Sequence, residues 1–211
     1  MREYHNTETQ VLSTEEIVQL VGWLQTRKGN PAGRRAGRRE EHQGIILLAL
    51  RSGLRETEIA RLMWRDVLVG SAIRRWVIPS RAKKGSRMPA LISDSAMRCL
   101  EALPRRGKCI FGGGRGISRQ AVWQTWKRIQ LELWRCQIYT FHSLRHTAIT
   151  EMYRMCRDIE LTRQFARHRS YQTTQRYIHL VERERCIGMM EKIEAQTASV
   201  VGAIRRKNAI S

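Results

Sequence analysis

Apolar residues recur at helical spacing through most of this chain, and the period changes in one central stretch only. Residues 1–10 lack any such pattern and read as a flexible polar arm. Ser13-Thr14-Glu15-Glu16 forms a capping box, with Ser13 as N-cap and Glu16 at N3, between the apolar pair Leu12 and Ile17. Ile17, Leu20, Val21 and Leu24 follow, so a first helix is predicted to about Thr26. Gly44 to Arg51 predicts a second helix closed by Gly53, and Glu56 to about Trp64 a third. Short β-like runs at 67–69, 74–78 and 88–92, separated by turn residues, then predict a small antiparallel sheet. Ser93 or Asp94 caps a helix to Leu103, and a glycine-rich connection spans 104–116. Ser118 caps a long helix through Trp134, on whose spacing Trp123, Trp126 and Trp134 read as core. Helices near 141–155, 159–167 and 173–180 follow, and then a separate last helix across 182–204. The predicted class is α+β, mostly α-helical with a small three-stranded antiparallel sheet.

Charge narrows the partners. The 211 residues suffice for one well-cored domain. Their net charge is +20, from 32 Arg and 7 Lys against 19 acidic residues. Guanidinium forks grip phosphate in two bonds where ammonium offers a point charge, so the bias favours a phosphate polyanion, and nucleic acid above all. Arg34, Arg35, Arg38 and Arg39 lie in a Gly/Pro-punctuated stretch that reads as a loop along a DNA backbone, or as a solvated loop. Five cysteines without CxxC spacing indicate reduced thiols, not a zinc site or disulfide framework. No apolar run reaches the about 18 residues of a membrane span, so a cytoplasmic, nucleoid-associated protein is expected. Two-metal phosphoryl transfer needs clustered carboxylates, yet Asp66, Asp94 and Asp158 are the only aspartates. No cofactor and no metal are expected.

The chemistry gathers in the second half. His142 and Arg145 are three residues apart and share a helix face. His168 and Tyr177 follow across a turn at Ser170-Tyr171-Gln172. Together His142-Ser143-Leu144-Arg145-His146-Thr147, His168-Arg169-Ser170 and Thr173-Thr174-Gln175-Arg176-Tyr177 resemble the motifs of the tyrosine recombinases, the phage-integrase family. Ser52-Gly53-Leu54-Arg55-Glu56-Thr57-Glu58-Ile59, continuing to Leu62, Trp64 and Asp66, resembles the family's first arginine motif. The turn at Lys83-Lys84-Gly85 matches the hairpin of its catalytic lysine. The resemblance covers about residues 11–180 and implies a recombinase catalytic-domain architecture there.

It also implies roles. Tyr177 would attack the scissile phosphate of duplex DNA, leaving a 3′-phosphotyrosine bond and a free 5′-hydroxyl. Arg55 and Arg145 would grip the non-bridging oxygens. Lys83 or Lys84 would protonate the departing oxygen, His142 would assist proton transfer around the tyrosine, and His168 would bond the phosphate or orient the nucleophile. His146 reads as packing beneath the Arg145 helix, and Glu56 and Glu58 as structural partners of Arg55. Arg167 departs from the family pattern, standing where a glycine is common. It implies different local geometry or an added phosphate contact, and with Arg169 it is expected on DNA.

The chain begins almost at the first helix of such a domain, so it resembles short members consisting of the catalytic domain alone, or a fragment of a larger integrase. Residues 181–211 are expected to form a helix with a basic tail that docks on a neighbouring subunit, giving a dimer or tetramer on DNA, with an accessory DNA-bending protein as a possible helper. The alternatives are a type IB topoisomerase-like nicking-closing enzyme and a non-cleaving DNA-binding regulator or architectural protein.

Overall fold

The structure is a computed structural model that describes residues 11–26, 38–68, 76–77 and 89–208. Its helices are α1 (Thr14–Thr26), α2 (Arg38–Ser52), α3 (Glu56–Ala60), α4 (Asp94–Glu101), α5 (Arg119–Trp134), α6 (Phe141–Cys156), α7 (Ile159–Ala166) and α8 (Tyr171–Asn208). Three two-residue strands, β1 (Val67–Leu68), β2 (Trp76–Val77) and β3 (Ala90–Leu91), pair antiparallel in that order. The protein is mostly helical.

Helix α2 is the centre. Its run Ile45–Leu50 is buried on every side, as befits a helix packed against α4 and α6 at once. Around it the apolar faces of α1, α4 and α5 close one main core containing Leu20, Leu24, Leu100, Trp126 and Leu144. A smaller cluster of Ile149, Ala166 and Tyr177 joins α6, α7 and α8.

Several predicted boundaries move. Helix α2 starts at Arg38, six residues before Gly44, because Glu40 and Glu41 suit the positive end of a helix dipole. Helix α3 stops at Ala60 because the chain peels away to pair with the 108–110 segment. Trp64 N–H donates to Lys108 O, and Ile110 N–H donates to Leu62 O. The last two predicted helices are one, α8, since no proline or turn sequence interrupts the chain between Tyr171 and Asn208.

Two clamps fix the start of α6. The Trp126 indole N–H donates to the carbonyls of Tyr139 and Thr140, and the Gln130 amide bonds Tyr139 N–H and C=O and Ile138 N–H. From the other side, the Tyr139 hydroxyl donates to Glu16 at 2.7 Å, and Leu12 N–H donates to Thr147 Oγ1 at 2.9 Å. The capping box of α1 is thereby tied to the helix that carries His142, Arg145 and His146.

Candidate active site

Three chain segments converge at one end of α6. The first is the turn between α2 and α3. Gly53 takes φ of +60° and closes α2 as Gly53 N–H reaches Ala49 O and Leu54 N–H reaches Leu48 O. Leu54 is fully buried and anchors the turn. Arg55 then stands at the N-cap of α3, where its backbone N–H and its Nη1 both donate to Glu58, at 2.7 and 3.1 Å.

The second segment is the first two turns of α6. Thr140 caps the helix by accepting from Ser143 N–H. His142, Arg145 and His146 then share a face. Arg145 is 2% exposed, and its guanidinium donates to the carbonyls of Gly53 and Ala166, linking the first and third segments.

The third segment is the α7–α8 junction. Arg167 ends α7 with φ of 55° and ψ of 41°, and Arg167 and His168 N–H groups return to Gln164 O and Arg163 O. So the backbone keeps the left-handed geometry that favours glycine although the residue is arginine. The Arg163 guanidinium grips the His168 carbonyl at 2.8 Å. His168 Nδ1 lies 3.0 Å from Thr174 Oγ1, and its ring stacks on Tyr177 with centroids 6.0 Å apart. Tyr177 is 2% exposed, and its hydroxyl lies 2.6 Å from His146 Nδ1. His142 is exposed and meets His146 edge-on at 4.5 Å.

The charge state follows from burial. Burial and then the Arg145, Arg55 and Arg176 guanidiniums push His168 down to about 3. Burial, His142, Arg176 and Arg145 push His146 down to about 3 as well, and His142 is lowered by burial and by Arg145. Burial raises the Tyr177 phenol against the pull of Arg145 and Arg176. Arg145 itself is lowered to about 9, by burial and then by Arg55 and Arg167. For Glu58, burial opposes ionisation, but the Arg167 and Arg55 charges and the Arg55 N–H hold its carboxyl below the usual range. At neutral pH the site therefore holds guanidiniums, neutral imidazoles, a protonated phenol and one carboxylate. It is built for an anion.

Arg55, Arg145, His142, His168 and Tyr177 thus come together. Lys83, Lys84, Arg34 and Arg35 lie outside the described residues, and of Arg38 only the backbone is described. Two expected DNA contacts are corrected. Arg39 turns inward to donate to Gln25 O at the C-terminal end of α1. Arg167 is buried, donating to Glu58 at 2.7 Å and to Gly53 O at 3.4 Å, so neither different geometry nor a free guanidinium accompanies the departure from glycine. Arg169 is exposed.

Sequence reasoning missed His146, Thr174 and Arg176 as members of the site. His146 lies four residues from His142, a helical neighbour spacing that pointed to the same face. Among the tryptophans, Trp126 is fully buried but Trp123 is 38% exposed. Among the described residues no group of three His, Cys, Asp or Glu is placed to hold a metal ion, and no helix is long and apolar enough to cross a membrane.

Comparisons with known proteins bear on the fold and the family. The fold is similar to the XerH site-specific recombinase in a post-cleavage complex with difH substrate, with a TM-score of 0.66 and 18% identity over 85% of this chain and 52% of that one. It is equally similar to XerA recombinase, at a TM-score of 0.66 and 20% identity over 90% of this chain and 66% of that one. These likenesses define the fold as the catalytic fold of tyrosine recombinases. In sequence, tyrosine recombinase XerD of Staphylococcus haemolyticus (strain JCSC1435) is 24% identical over 186 residues, covering 84% of this chain. The chain spans 60% of that relative's length. The family model of the phage integrase family matches residues 10–184, and the chain belongs to that family.

Proposed function

We propose that this chain cleaves and rejoins duplex DNA at specific sites through a 3′-phosphotyrosine intermediate. The observation that carries the reading is the convergence of Arg55, Arg145, His168 and Tyr177 on one cationic site with uncharged imidazoles. A phosphodiester brings negative charge beyond the single carboxylate of Glu58. Arg55, 39% exposed at its side chain, reaches outward for a non-bridging oxygen, and Arg145 backs it from below. Tyr177 attacks phosphorus; the O–P bond it forms conserves the energy of the P–O5′ bond that breaks, so rejoining needs no ATP. His168 orients the tyrosine by stacking and is itself set by Thr174. His142, at the solvent end of the face, serves proton exchange around the tyrosine. Lys83 or Lys84 serves as the acid for the departing oxygen.

Residues 11–180 act as the catalytic domain, with residues 1–10 as an arm. The distal part of α8 and the basic tail mediate assembly. Ile187, Met190 and Ile193 are 53%, 61% and 58% exposed on this helix, and a second copy on DNA would cover them. A dimer or tetramer on duplex DNA, assisted by a DNA-bending protein, at the nucleoid, fits this reading. Arg34, Arg35, Arg38 and Arg169 supply backbone contacts.

The test is a nicked suicide duplex carrying a cognate site. Native chain should trap as a covalent protein–DNA adduct, and Tyr177→Phe should give none. No adduct on any cognate duplex would sink the reading, and relaxation of plasmids without a defined site would turn it toward a nicking-closing enzyme. Lys83→Ala and Lys84→Ala in the same assay assign the acid.

A further inference from the structure

We propose that His146 takes the proton directly from Tyr177 during attack and returns it during rejoining, with His142 beside it exchanging that proton with solvent. The inference rests on the recombinase reading and adds to it the residue that touches the nucleophile. His146 Nδ1 is 2.6 Å from the Tyr177 hydroxyl, within hydrogen-bond reach of the reacting oxygen. His142 makes an edge contact with the His146 ring at 4.5 Å and lies one helical turn nearer the start of α6. His168 faces Tyr177 ring to ring while its Nδ1 is engaged by Thr174, an arrangement that orients the phenol without reaching its proton.

Proton transfer from the phenol requires one tautomer. With Nε2 carrying the proton, Nδ1 offers a lone pair and the phenol O–H donates to it. The groups facing His146 are His142 and Arg145 from α6, Arg176 and Tyr177 from α8, and His168 from the α7–α8 junction. Burial first, and then the positive members, keep the imidazole neutral, so the base form is present at neutral pH. A bound phosphodiester adds one negative charge among these cations and makes the imidazole more basic in the complex than in the free chain. The nucleophile is then activated only when its target is in place.

The atoms balance. The Tyr177 proton passes to His146 Nδ1 as the phenolic oxygen bonds phosphorus and the P–O5′ bond breaks. The departing 5′ oxygen takes a proton from the lysine acid. In rejoining, an incoming 5′-hydroxyl gives its proton to that lysine and attacks phosphorus, and the released phenolate recovers its proton from the His146 imidazolium.

Adduct formation on the suicide duplex tests this with two variants. His146→Asn keeps a polar atom near the Nδ1 position but cannot carry the proton at neutral pH. It should slow adduct formation about 100-fold, and its rate should climb with pH where the native rate is flat. His146→Ala should be slow and recover with added imidazole, which a packing role would not produce. A native rate and pH profile in His146→Asn would overturn the inference while leaving the recombinase reading intact. Failure of the native chain to form any adduct would remove both. Without DNA, nitrogen NMR should find His146 at neutral pH with Nδ1 unprotonated; the opposite tautomer would overturn the inference alone.

Discussion

Arg167 is the residue whose structure departs most from what its sequence position suggested. An arginine in place of a common glycine looked like a surface contact, because arginine composition cannot distinguish a guanidinium turned outward from one turned in. Only the packing of α3 against the α7–α8 junction brings Glu58 within 2.7 Å of it. Both side chains are 3% exposed, and loss of Arg167 leaves the buried Glu58 carboxylate with Arg55 alone among the ion pairs described. Arg167→Met should destabilise the chain by about 3 kcal/mol in urea unfolding, and Glu58→Gln in the same background should restore part of that loss. His168 gives a second residue-scale prediction. Its folded value near 3 lies below the ordinary imidazole value of 6.5. Between those two values the unfolded chain holds a proton that the folded chain refuses, so stability rises with pH across the window and is lost as pH falls below 6.5. The loss should approach about 1.4 kcal/mol per pH unit for this group, and His168→Gln should lessen the fall of the urea midpoint between about pH 7 and about pH 5, with His146 keeping its own share.

Among the elements, side-chain caps at helix starts were readable, and the left-handed arginines that close helices were not. Ser13, Ser93 and Ser118 cap α1, α4 and α5 as their hydroxyls suggested, because a cap is a local bond between a side chain and a backbone N–H a few residues on. Ends depend on distant partners. Arg135, Arg157 and Arg167 all close helices in the left-handed region, and no local chemistry of arginine announces that. At the end of α2 the left-handed residue was readable, since Gly53 suits a positive φ. A Cβ there would sit 3.3 Å from the Phe165 ring, in a backbone conformation that L side chains rarely adopt. Gly53→Ala should therefore cost about 1–2 kcal/mol in thermal or urea unfolding. It should also slow adduct formation, because Arg145 and Arg167 both hang on that carbonyl.

At the scale of the molecule, composition and motif order carried the functional reading, while the proton route stayed hidden. A net charge of +20 says polyanion, and four motifs in series say which chemistry. Neither says which of three imidazoles meets the phenol, since that depends on the angle at which α8 crosses α6. The charge has its own measurable consequence. If the chain neutralises about 6–10 phosphates, its affinity for duplex DNA should fall about 10³–10⁵-fold between about 50 and 200 mM salt, measured by fluorescence anisotropy on a short cognate duplex.

One carbonyl reaches further than its size suggests. Gly53 O accepts from Arg145, 92 residues downstream, and from Arg167, 114 residues downstream. Such separations are closed late in folding, when the loop entropy of nearly half the chain has already been surrendered. A partly folded chain holds Tyr177, Arg145 and Arg167 but not yet the carbonyl that sets the two guanidiniums side by side. On the recombinase reading, the phosphate grip is therefore assembled only when both ends of the domain have met.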